Sequence, residues 1–356
     1  MKKDKIFKKE ISNIIKIIEN LSKTKINNKT FFLTGCTGFF GIWILCTFNE
    51  LIKKHKLNTK IYVLTRNKNI KKTSIYNLSR NQKIKFIFGD IQKFNFTNNI
   101  KNINYIIHGA TTSAEETFKG QNFNKKKKII INGTKKVLRN AKKFNCNKIF
   151  YFSSGAVYKN LDKNRIIKET DPIYKNTKFE KKDHNISVLG KSKAQAEKLI
   201  ISFCKKNKIK YTIGRFFTFV GPYMPINVHY AIGNFIHSKI NKRKIILKSD
   251  GKSKRSYMYI ADCITYFFLM LFGDKNNHIY NVGSDKKISI KELAILVDKI
   301  TTKKDGIKID QKNKTTTCYI PSTKKIRKDF PKFNLTSINK SISKTFDHIS
   351  QYKNIY

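Results

Sequence analysis

One stretch of the sequence has residue types and spacing suited to phosphate chemistry. Gly35-Cys36-Thr37-Gly38-Phe39-Phe40-Gly41 follows the apolar run TFFLT and precedes a second apolar segment that begins at Ile42. Glycines let the backbone turn tightly and approach a pyrophosphate. The N-terminus of a following helix offers it free N–H groups and a positive dipole. Such a pattern carries weight when it joins a strand to a helix, as here. Gly35, Thr37, Gly38, Phe39 and Gly41 are therefore candidate dinucleotide binders. A carboxylate at the end of the next strand would hold the ribose hydroxyls of NAD. That position reads Thr65-Arg66-Asn67 and has none. Arg66 is suited to stack on adenine or pair with a 2′-phosphate, so NAD and NADP both stay open. The six cysteines lie far apart, with no CxxC pair and no His/Cys cluster of zinc spacing, so no metal is expected.

The elements that must position this loop read as an alternation. Residues 6–22 place Ile and Leu at helical intervals, and a polar linker is expected over 23–29. Short apolar runs at 30–34, 60–64, 85–88, 105–108, 148–153 and 210–215 read as strands. Segments 42–51, 126–144 and 191–207 read as helices. Strands alternating with helices indicate a parallel sheet covered on both faces. After Pro222 the rhythm changes, with helices expected at 231–240 and 288–300, a strand at 244–248 and a turn at Asp250-Gly251. The expected organisation is a helical extension over 1–28, a dinucleotide-binding domain over 29–225 and a smaller α+β lobe over 226–356. Some segments of that lobe are expected to return to the sheet.

The motifs, taken in order, resemble those of the extended short-chain dehydrogenases/reductases, within them the NAD-dependent epimerase/dehydratase family acting on nucleotide sugars. TGCTGFFG is similar to that family's TGxxGFxG loop. Gly89-Asp90-Ile91, His108-Gly109-Ala110-Thr111, Asn132-Gly133-Thr134 and Phe152-Ser153-Ser154-Gly155-Ala156-Val157-Tyr158 follow in family order. So do Gly190-Lys191-Ser192-Lys193 with Glu197, Gly221-Pro222, Asn234-Phe235, Arg255-Ser256-Tyr257 with Asp262, and Tyr280-Asn281-Val282-Gly283. The resemblance implies a Rossmann-type, doubly wound α/β fold with a substrate-binding lobe. It adds Asp90, Ile91, Ala110, Thr111 and Lys193 to the cofactor residues. It makes Ser154 and Lys193 catalytic, and gives Ser154, Asn234 and Arg255 to a nucleoside-diphosphate sugar. The guanidinium of Arg255 would grip the diphosphate through two parallel hydrogen bonds. The implied activity is transient oxidation of that sugar by bound NAD, or NADP, on the way to surface polysaccharide precursors. A homodimer is implied as well.

In this family a Tyr phenolate takes the sugar hydroxyl proton, with a nearby Lys⁺ lowering its pKa. That Tyr should stand four residues before Lys193, where this chain has Leu189. Leucine exchanges no proton, which leaves either another base or a cofactor- and sugar-binding chain without turnover. Tyr174, spaced YxxxK with Lys178, is one substitute; Tyr158 and His184 are others. Gly155-Ala156 also replaces the Asp-Glu pair of the dehydratase branch, which disfavours 4,6-dehydration and leaves epimerase- or decarboxylase-like oxidation at C4. Thr218 stands where many relatives have Asn. Tyr257, Tyr259 and His229 read as structural.

The bulk composition suggests a different partner. With 75 Lys+Arg against 23 Asp+Glu, the formal net charge is +52. Only eight of those cations are Arg, and Lys, Ile, Asn and Phe abound together, as an AT-rich coding bias would produce. A dedicated reader of phosphates and bases would use more Arg, so a solvated lysine surface is expected and no specific nucleic-acid partner. The run Lys125–Lys128 is expected on a solvated helix start or loop. Charges recur from Lys2 to Lys29, and the most apolar stretch, 263–272, is about half of a membrane span. A cytoplasmic protein with reduced thiols and no membrane insertion is expected.

Overall fold

The computed structural model describes residues 4–69, 75, 78, 81–96, 100–111, 123–159, 165–174, 185–226, 230–300, 306–309, 316–331 and 333–353. The elements in chain order are α1 (Lys5–Ile26), β1 (Thr30–Thr34), α2 (Phe39–Lys54), β2 (Lys60–Thr65), β3 (Ile84–Phe88), β4 (Tyr105–His108), α3 (Phe123–Lys143) and β5 (Lys148–Ser154). After a single 3₁₀ turn at Gly155–Val157 come α4 (Asn185–Lys206), β6 (Lys210–Phe216), β7 (Phe219–Val220), α5 (Ala231–Ile240), β8 (Ile245–Leu247), β9 (Lys254–Arg255) and β10 (Met258–Tyr259). The last elements are α6 (Ile260–Phe272), β11 (His278–Val282), β12 (Ile288–Ser289), α7 (Ile290–Asp298), β13 (Ile307–Ile309), β14 (Cys318–Tyr319), α8 (Lys324–Asp329) and α9 (Ile338–Gln351).

The chain divides into two compact units, neither continuous in sequence. The larger takes 1–157, 172–216 and 264–280; the smaller takes 158–171, 217–263 and 281–356. The main sheet has the order β11-β6-β5-β4-β1-β2-β3, and its strands from β3 across to β6 run parallel. The chain enters at β1, winds outward through β2 and β3, then returns to β4 and winds the other way. This is the doubly wound topology expected, with its reversal between β1 and β4. The central strands are buried on both faces, so β1 reads as an unbroken apolar run. In the smaller unit α5 packs on α7. A buried Lys239–Asp298 pair at 2.9 Å ties these two helices together.

Two expectations need correction. The polar stretch from Lys23 is no linker but the last turn of α1. Ile26 is wholly buried there, and the Lys25 Nζ donates to Phe272 O and to Asp274 Oδ1, each at 2.6 Å. The run Lys125–Lys128 lies in the first turns of α3, and Lys126 is wholly buried rather than solvated. Helix α1 packs its apolar stripe on α2, with Phe7 edge-on to the buried Trp43 at 4.6 Å. Among the described residues no helix is long and apolar enough to cross a membrane. All six cysteines are buried and unpaired.

Helix α6 ends without a basic residue in its last turn. Its terminal carbonyls still need donors. Lys25 serves Phe272, and the Nζ of Lys148, from the start of β5, donates to Met270 O and Leu271 O, both at 2.9 Å. Burial pulls the Lys148 ammonium down to about 7. A lysine depressed on folding makes stability rise with pH from its folded value toward the unfolded value of about 10.4, and lose that gain as pH falls again. Lys148→Met should therefore flatten the rise of the thermal midpoint between about pH 7 and about pH 10. An unchanged slope in differential scanning fluorimetry would contradict this assignment.

Candidate active site

The phosphate loop joins β1 to α2 and owes its shape to contacts that exclude side chains. Gly35 has φ +73°, and a Cβ there would stand 2.5 Å from Ala110 N, at the end of β4. A Cβ on Gly41 would stand 2.1 to 2.4 Å from the Cys36 backbone. Those two glycines fold the loop tightly onto itself and onto the sheet. Gly38 differs: a Cβ there would meet nothing within 4 Å. Gly38 is also the N-cap of α2, and no side chain caps that terminus. An uncapped helix N-terminus beside open space is what a pyrophosphate requires, so the residues present fit a dinucleotide. Thr37 and Phe39 are half-buried within the same loop.

Around the loop the other predicted cofactor residues fall at the ends of successive strands. Arg66 is exposed just past β2. Asn67 N donates to Thr65 Oγ1, and no carboxylate occurs over residues 65–69. Asp90, after β3, accepts from Gln92 N at 2.8 Å and from Gln92 Nε2 at 3.2 Å, with buried Ile91 beside it. Ala110 N donates to Thr34 Oγ1 at 3.3 Å, and the Oγ1 of Thr111 is buried with no hydrogen-bond partner among the described residues.

Sequence reasoning missed the link beneath them. His108 bridges Thr34 Oγ1 at 2.8 Å and Thr134 Oγ1 at 3.0 Å. Thr134 spends its own proton on Ile130 O, so it accepts from His108 Nε2–H, and Nδ1 accepts from Thr34. Burial, with Lys193 adding to it, holds His108 down to about 3, so the ring is neutral. The thread between Thr34, His108 and Thr134 ties β1, β4 and α3 together. Its three members stand in three separate motifs, TGCTGFFG, His108-Gly109-Ala110-Thr111 and Asn132-Gly133-Thr134, and no one of them signals the link.

The candidate catalytic residues gather where β5 meets α4. Ser154 ends β5, and its Oγ accepts from Ala156 N at 3.1 Å. Its hydroxyl proton is left without an acceptor among the described residues. Lys193 is buried, donates to Phe152 O at 2.6 Å and stands 4.8 Å over the Tyr151 ring. Burial lowers its ammonium to about 7, opposed by Glu197. Glu197 pairs with Arg215 at 2.7 Å and accepts from Ser153 Oγ, a wholly buried group that anchors α4 to β5 and β6. Leu189 is half-buried and packs against the apolar cluster of the larger unit.

The substitute bases separate. Tyr158 is almost wholly buried, and its hydroxyl donates to Asn281 Oδ1 at 2.7 Å, so it is structural. His184, Lys178 and His229 lie outside the described residues. Tyr174 comes to the turn next to Leu189. Its N–H donates to Val157 O, and its Cε2 stands 2.9 Å from where a Cβ on Gly190 would be. Residue 190 must therefore be glycine, both for this ring and for Ala156 O at 2.0 Å.

In the smaller unit Asn234 is exposed on α5 and Arg255 is half-buried on β9. Arg255 is held by Thr317 and the Lys254 carbonyl, not by Asp262, whose carboxylate accepts from Thr336 N and Oγ1. Tyr257 and Tyr259 are both buried. Among the described residues no cluster of His, Cys, Asp and Glu could hold a metal.

Comparison with known proteins agrees with this geometry. The chain is 29% identical over 276 residues to dTDP-D-glucose 4,6-dehydratase of Dictyostelium discoideum, covering 74% of this chain and 60% of that protein. It is 26% identical over 116 residues to UDP-glucuronic acid decarboxylase 1 of Arabidopsis thaliana, covering 32% of this chain and 26% of that protein. The chain thus spans less than two thirds of the length of the first curated relatives it matches. Its fold is similar to that of UDP-glucuronic acid 4-epimerase from Bacillus cereus, solved with UDP-glucuronic acid and NAD (TM-score 0.75, 20% identity, 90% of this chain and 99% of that one). It is similar also to an epimerase from Methanothermobacter thermautotrophicus (TM-score 0.76, 19% identity, 95% and 96%). The profile of the NAD dependent epimerase/dehydratase family matches residues 31–283, most of the chain, and the protein belongs to that family.

Proposed function

We propose that the chain is an NAD-dependent nucleotide-sugar enzyme of the epimerase/dehydratase type, and that its substrate is a nucleoside-diphosphate sugar. The observation that carries this is the open space at Gly38 in front of the uncapped N-terminus of α2. The first carbonyls of the family's chemistry arise by oxidation, and NAD, when bound, supplies the acceptor for the hydride and returns it. Lys193 would hydrogen-bond the nicotinamide ribose. The free hydroxyl proton of Ser154 would be donated to the reacting sugar oxygen, since its lone pair already accepts from Ala156 N. Arg255 and Asn234 would hold the diphosphate. Gly155 and Ala156 carry no ionisable group, which favours epimerase- or decarboxylase-like oxidation at C4 over elimination of water. Surface polysaccharide precursors as products, and assembly as a homodimer, belong to the same proposal.

The sugar hydroxyl must lose its proton as hydride leaves, and Leu189 cannot take it. In this reading Tyr174, beside Gly190, takes the proton. A second reading is favoured by the packing of Leu189 against the apolar cluster: the chain binds cofactor and sugar nucleotide without turning over.

Gly38→Ala should leave the thermal midpoint unchanged, because the new methyl meets no protein atom, yet weaken NAD by about tenfold or more in calorimetric titration. Equal NAD affinity would remove the main support for the reading. With UDP-sugars and NAD, Tyr174→Phe should lower turnover by about 10²-fold or more. Turnover that survives Tyr174→Phe excludes that phenol as the base. An inactive wild type made active by Leu189→Tyr establishes the binding-only reading instead.

A further inference from the structure

We infer that Thr317 is the residue that orients Arg255 for the diphosphate, an inference that rests on the nucleotide-sugar reading above. Arg255 and Thr317 meet across the parallel pairing of β9 with β14, where Lys254 lies opposite Cys318 and Arg255 opposite Tyr319. Thr317 stands one residue before that pairing and offers two acceptors to one guanidinium. Its carbonyl accepts from Arg255 Nη1 at 3.1 Å and its Oγ1 from Arg255 Nη2 at 2.7 Å. Nη1 also donates to Lys254 O at 2.8 Å, so both Nη1 protons are spent.

A guanidinium has two forked edges. Thr317 chelates the end-on edge, formed by Nη1 and Nη2. The side-on edge, formed by Nε–H and the second Nη2 proton, makes no hydrogen bond among the described residues. That is the pair of parallel donors a diphosphate oxygen pair accepts. Thr317 is fixed in turn, since its N–H donates to Ser253 Oγ at 3.1 Å and its hydroxyl points to the same oxygen at 3.4 Å. The long Arg side chain is thereby held in one rotamer before any ligand arrives. That removes an ordering cost from binding. Sequence could not expose this, because Thr317 lies 62 residues from Arg255 and outside any quoted motif.

Thr317→Val keeps the shape and the carbonyl but deletes one acceptor. On the full-length chain, titrated with UDP and separately with NAD, it should weaken UDP roughly tenfold and leave NAD unchanged. Thr317→Ser, which restores the hydroxyl, should recover the UDP affinity, a rescue that general loosening of the lobe would not give. Arg255→Ala is the reference. If it abolishes UDP binding while Thr317→Val binds UDP as wild type does, the inference is overturned and the nucleotide-sugar reading stands. If Arg255→Ala binds UDP like wild type, both fall.

Discussion

A parallel sheet that winds outward in both directions from one strand must open a gap where the winding reverses, because the connections leave on opposite faces. Here the gap lies beyond β1 and β4, and everything chemical in the larger unit is arranged around it. Gly35 presses the loop onto the end of β4, and Gly41 packs the first turn of α2 onto the loop. With those two contacts made, the N-terminus of α2 faces the open space at Gly38 with no side-chain cap. Beneath the loop a neutral His108 fastens β1 and β4 to α3, so the edges of the gap cannot drift apart without breaking buried hydrogen bonds.

The second organising feature is how few charges are buried in a chain of net charge +52. Most lysines sit in solvent and cost nothing. Among the buried ones, Lys148 is answered by helix carbonyls, Lys239 by Asp298 and Arg215 by Glu197. Lys193 is answered by one carbonyl and an aromatic face, and burial brings its ammonium to about 7.

Much of this was readable in the sequence, for reasons that differ by region. Strands β1 and β4 were placed to the residue, because buried parallel strands are uninterrupted apolar runs. The sequence starts this helix at Ile42, three residues after its first residue Phe39, since Phe39 and Phe40 belong equally to the loop and to the helix. The last turn of α1 reads as linker in the sequence because its lysines suit a linker and a solvated turn equally. Only the distant Asp274 and the carbonyl of Phe272 reveal what Lys25 does. Among the candidate site residues, the glycine loop, Ser154 and Lys193 of the larger unit and Arg255 of the smaller one are legible by motif. The tautomer of His108, the grip of Thr317 on Arg255 and the approach of Tyr174 to Gly190 are not. Each is a contact between segments remote in sequence, and no local pattern encodes it. Leu189 is the reverse case: the family resemblance expects a tyrosine at its position, and its side chain packs against the apolar cluster.

Native mass spectrometry of the purified full-length chain tests the central claim most directly, because it needs no assumption about the reaction. Incubation with NAD and a UDP-sugar should add the mass of one cofactor and one sugar nucleotide to the same chain, with the sugar nucleotide lost in Arg255→Ala and the cofactor retained. A chain that gains neither mass under these conditions would contradict the assignment of its loop and its arginine to those ligands.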